Sequence, residues 1–139
     1  MQQFYSQRPE MQIPQENTYK RLEIMRNLDA EFKTLSKNYL INKKNELIKY
    51  IKKHDELIPY LKTITPLINN YFPNNKKYLT FCKDPEFKEL NQAMICVIGQ
   101  DSLFEEEREL MKSLNNDILY LNEFPINVKN LISVRLWWI

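Results

Sequence analysis

The chain has 139 residues, 43% of them hydrophobic and 27% charged, with a formal net charge of +2; this balance suits one compact unit with appendages and is too small to imply a polyanionic partner by itself. A single glycine, Gly99, excludes Gly-rich phosphate loops and dinucleotide fingerprints, because each needs several positions where only glycine lets backbone approach phosphate. No apolar leader opens the chain and no run approaches the ~18 apolar residues of a membrane span, so a cytoplasmic protein is expected.

Residues 1–16 are polar and interrupted by Pro9 and Pro14, and read as a flexible arm. From about residue 17 to 54 apolar residues recur at helical spacing, with Leu22, Met25, Leu28, Phe32, Leu35 and Tyr39 on one stripe. The stripe slips at Leu40 and Ile41 and resumes at Leu47, which fits one long amphipathic helix, straight or bent, or two helices broken near Asn42; the long helix is favoured. After a candidate cap at Asp55, residues 57 to 71 form a second helix, which Pro66 should bend or restart with Thr65 as a new cap.

Two strand-like runs follow, Lys77 to Cys82 and Ala93 to Ile98, and pair most simply as an antiparallel hairpin around Asp84-Pro85. Ser102 with Glu105 forms a capping box, and the helix it opens should end at Asn115-Asn116. Residues 117–130 fit either a strand or a continued helix. In the closing LISVRLWWI, Ile132, Val134, Leu136 and Trp138 alternate with Arg135 and Trp137 as on a half-buried strand. The class expected is α+β: a long N-terminal helix, then an α+β domain over 55–139 whose small antiparallel sheet is packed by helices.

Chemistry-bearing clusters are sparse. Cys82 and Cys96 lack redox or metal spacing and read as reduced, buried thiols. His54 is the one histidine, and a metal phosphohydrolase would need more, so a helix-end role is expected. Lys43, Lys44, Lys49, Lys52 and Lys53 form a basic segment that could track phosphates, and Asp101, Glu105, Glu106, Glu107 and Glu109 form an acidic counterpart able to pair with it. No cofactor or metal is expected.

Tyr71-Phe72-Pro73, Asp84-Pro85-Glu86, the strand from Met94 to Ile98 and the helix opening at Ser102 resemble a family of small uncharacterised bacterial proteins common in cyanobacteria. The resemblance covers at most residues 55–139, and the family places its tryptophan pair soon after the helix, whereas Trp137 and Trp138 lie in the last strand here. It implies an accessory protein of a toxin-antitoxin-like or defence cassette and supplies no catalytic residues.

The leading expectation is therefore a non-enzymatic protein-protein interaction module, which the resemblance casts as the regulatory or neutralising member of such a cassette. It would bind a protein partner or form a homo-oligomer through Leu22, Met25, Leu28, Phe32, Leu35 and Tyr39, with Arg135 and Trp137 as a second contact surface. The alternative is a nucleic-acid binder using residues 43–53, and a small enzyme of unknown class comes third.

Overall fold

Residues 28–138 are described by a computed structural model. In them the apolar stripe of the N-terminal segment ends its helix at Leu35 instead of running on to residue 54. The expected positions 17–27 of that helix lie outside the described residues. The chain divides into two compact units, Met1–Leu35 and Ser36–Ile139. The described part of the first is helix α1 over 28–35, with Leu28, Phe32 and Leu35 buried.

The second unit runs β1 (Leu40–Ile41), α2 (Lys44–Lys53), α3 (Leu57–Tyr71), β2 (Lys77–Cys82), β3 (Gln92–Ile98), α4 (Phe104–Leu119), α5 (Ile126–Lys129) and β4 (Ile132–Trp137). The sheet order is β1-β2-β3-β4. Only β2 and β3 are antiparallel; β1 runs parallel to β2, and β4 parallel to β3. The long continuous helix and the purely antiparallel sheet are thus both overturned. Leu40 and Ile41, where the helical stripe slips, pair with Tyr78 and Leu79, and the Asn42 amide donates to the Leu79 carbonyl at 2.9 Å. Pairing with a strand edge outweighs helix propensity there. Lys43 then takes a left-handed conformation, φ 54°, which breaks the helix in a way no non-glycine residue adopts without cost.

Register explains the core. The rows Lys77/Val97/Leu136, Leu79/Ile95/Val134 and Phe81/Ala93/Ile132 share one face of the sheet, and helices α2 and α4 pack on the strands. The central strand β3 buries Ala93 through Val97 without a break, as a strand covered on both faces does. Each fully buried aliphatic contributes on the order of 1.5–3 kcal/mol before entropy. Beyond β4, the half-buried Trp138 lies against Phe104, ring centroids 5.0 Å apart, and over Gly99, where a Cβ would meet its ring at 2.4 Å.

Three local expectations change. Pro66 neither restarts nor ends α3; it is exposed, and Thr65 sits inside the helix, its hydroxyl donating to the Leu61 carbonyl at 2.6 Å. With that proton committed, Tyr39 donates to Thr65 at 2.8 Å. Neither Asp55 nor Ser102 caps a helix: Glu56 and Leu103 hold the cap positions of α3 and α4, with no side-chain cap bond. Helix α4 continues past Asn115-Asn116 to Leu119 because Leu114 and Ile118 extend its buried stripe, and Asn115 turns its amide to the Val134 carbonyl at 3.3 Å.

Candidate functional site

On α2, Glu46, Lys49, Tyr50 and Lys53 recur at the three- and four-residue spacing that puts side chains on one helix face. That face forms one wall of a cavity of about 780 Å³. The facing wall is the β2–β3 connection with the first residue of β3; the connection contributes Lys83, Lys88, Glu89, Leu90 and Asn91, and β3 contributes Gln92. Its shape follows from Asp84: the carboxylate accepts the Glu86 and Phe87 amides at 2.9 and 2.8 Å, while the Asp84 amide donates to Asn91 Oδ1 at 2.6 Å. This Asx turn folds the segment back on itself, so that two lysines distant in sequence from α2 reach the same space. Asn127, Asn130 and Leu131, from α5 to the start of β4, complete the lining.

The cavity has an aromatic floor. Tyr50 lies 5.1 Å from Phe81 and meets His54 edge-on at 4.7 Å, and its hydroxyl donates to the Leu131 carbonyl at 2.8 Å. Burial raises the Tyr50 pKa, so the phenol stays a neutral donor. Gln92 Nε2 donates to the Asn130 carbonyl at 3.2 Å and joins the second and third walls. Four lysines against two glutamates make the lining cationic at neutral pH. Such a site can hold an anion, and its floor can take a flat ring.

All five expected basic residues are exposed; Lys49 and Lys53 line the cavity, and Lys43, Lys44 and Lys52 lie outside it. Lys83 and Lys88 are functional candidates that the sequence reading passed over; the available signal was that both flank the Asp84-Pro85 turn. Of the acidic counterpart, Glu105, Glu106, Glu107 and Glu109 are not among the residues that line this cavity. Glu107 is buried and accepts the Gln100 amide and Asn75 Nδ2, each at 2.6 Å, and Asn75 also donates to the Ile98 carbonyl at 2.8 Å. That network ties α4 to the far end of the hairpin.

For the expected partner surface, Leu22 and Met25 lie outside the described residues. Leu28, Phe32, Leu35 and Tyr39 are buried, Arg135 is exposed, and Trp137 is 47% exposed. Cys82 lies beside Met94, sulfur to sulfur 3.9 Å, and Cys96 is buried, its thiol pushed up to about 11 chiefly by that burial. His54 ends α2, its amide donating to the Ile51 carbonyl at 3.0 Å. Among the described residues no group of three or more His, Cys, Asp and Glu is placed to hold a metal ion, and no helix is long and apolar enough to cross a membrane.

No family model, no curated protein sequence and no solved structure matches the chain.

Proposed function

We propose that this is a non-catalytic cytoplasmic module that binds nucleic acid through the cavity between α2 and the β2–β3 connection. One observation carries the reading: Lys49 and Lys53 from a helix and Lys83 and Lys88 from a separate connection converge on one concavity. Four ammonium groups brought together from two separate elements supply the clustered positive charge on which phosphate binding draws. The role is binding rather than chemistry because the lining offers cations, amides and anchored rings, with no nucleophile hydrogen-bonded to a base. The test is affinity for a nucleic acid as a function of salt, compared between the natural chain and single lysine-to-alanine variants.

A second reading is favoured by Trp137, 47% exposed on strand β4 at the end of the sheet order, with Arg135 exposed on the same strand face. Tryptophan and arginine are frequent interface anchors, and an edge strand accepts a further strand. On this reading the protein is the regulatory or neutralising member of a bacterial cassette and binds a protein partner there. Association lost in Trp137→Ala and retained in lysine variants supports it over the first.

A further inference from the structure

We infer that the cavity admits an unpaired nucleobase, which stacks on Tyr50 while its phosphates lie among the four lysines. The ligand is then one nucleotide of a single strand, or a free nucleotide of the same chemistry. The inference rests on the nucleic-acid reading and adds to it how the strand is recognised.

Size is the first argument. A phosphate would fill a small part of about 780 Å³, a volume within the ~300–1,000 Å³ range of sites that enclose a small organic ligand. Phosphate tracking alone needs a charged surface and no hollow.

The floor is the second. Tyr50 is held from two sides by Phe81 and His54 and from its tip by the Leu131 carbonyl, so its ring is already fixed and little entropy remains to be lost when another ring lands on it. Tyr50 is only half-buried although it touches both neighbours, which leaves ring surface on the cavity side. Sequence-tolerant binders of single strands combine these two parts, a cationic groove along the backbone and an aromatic platform beneath the bases.

The third argument is polar chemistry between floor and rim. The hydrogen bond from the Asp84 amide uses the carbonyl oxygen of Asn91, and the bond to Asn130 uses the amide nitrogen of Gln92. Donor capacity on Asn91 and acceptor capacity on Gln92 thus stand side by side in the lining, and a base edge presents the matching acceptors and donors. A paired base in a duplex cannot reach this floor without leaving its stack, so the site distinguishes single strands from duplex.

The test uses the full chain and fluorescence anisotropy at low salt. Four probes are compared: a labelled single strand of roughly ten nucleotides, within the usual ~4–16 nucleotide site size, an abasic strand of equal length and charge, a duplex, and a phosphoserine peptide. The intact strand should bind about 5- to 150-fold more tightly than the abasic one, the fold-change for losing one stacked base. Tyr50→Leu should abolish that difference while sparing abasic binding, and Tyr50→Phe, which keeps the ring, should preserve it. The intact-versus-abasic comparison uses the natural chain, so it stands even if Tyr50→Leu fails to fold. Displacement of the strand by a nucleoside monophosphate at similar concentration identifies the free nucleotide as the source; displacement only by strands identifies the polymer. Equal affinity for intact and abasic strands, or for single strand and duplex, overturns base insertion, and if lysine variants still weaken binding, the nucleic-acid reading survives alone. A phosphopeptide that binds as tightly as the strand overturns the nucleobase assignment. Absence of binding to all strands removes both readings.

Discussion

Replacing Lys49, Lys53, Lys83 or Lys88 singly by alanine removes one of the four cations that line the cavity, and the effect is calculable. Each phosphate contact on a single strand adds about 0.7 to the slope of log affinity against log salt. If all four lysines engage, the slope is about −2.8, and affinity falls about 50-fold between 50 and 200 mM salt. Each single variant should flatten the slope to about −2.1, so that the same salt step costs only about 20-fold. Lysine-to-arginine exchanges should retain the slope, since the charge remains. Lys52→Ala is the internal control: it lies on α2 but outside the cavity and should change the slope little. Anisotropy titrations at four salt concentrations measure all of this. An equal loss of slope in Lys52→Ala and in the cavity variants would refute the reasoning, because binding would then track total charge rather than the concavity.

Gly99→Ala should cost about 1–3 kcal/mol, because the new methyl would sit 2.4–2.7 Å from three Trp138 ring atoms; thermal unfolding measures the loss, and a Trp138→Leu background should reduce it. Trp138→Ala should lower the melting temperature through the lost Phe104 contact, while Trp137→Ala, 47% exposed, should spare it; equal losses would mean that both faces of β4's end are packed. Cys96 holds its proton more tightly in the fold, burial pushing its thiol up to about 11 from the ordinary 9.0. Between those values the unfolded state has fewer protons bound, so its contribution to stability is intact below about pH 9 and declines as pH rises to about 11. Urea titrations from pH 8 to 11 should show this decline, reduced in Cys96→Ala. Tyr39 and Tyr60, raised from 10.0 to about 12 by burial, should extend the decline above pH 10.

What the sequence alone determined is local. The period-two alternation of Leu79 and Phe81, the apolar run of β3 and the alternation in β4 mark strands because a pleat sends neighbours to opposite faces. The helical spacing from Leu57 to Ile68 marks α3 for the same kind of reason. Asp84-Pro85 was legible as a corner because its side chain bonds the amides just beyond it. Half of the candidate site was legible too, since Lys49 and Lys53 stand one helical turn apart on any α2.

Tertiary structure decided everything that depends on a partner far along the chain. Leu40 and Ile41 have no local signal for a parallel strand; they pair because β2, nearly forty residues later, presents an edge to them. The parallel pairing of β4 with β3 likewise depends on α4 and α5 crossing between them. Lys83 and Lys88 join Lys49 and Lys53 only because the sheet holds the end of β2 and the start of β3 against α2. Periodicity encodes which face of an element is apolar, but a cavity is a relation between elements. That relation is set by strand order and register, which in this chain no stretch of sequence spells out by itself.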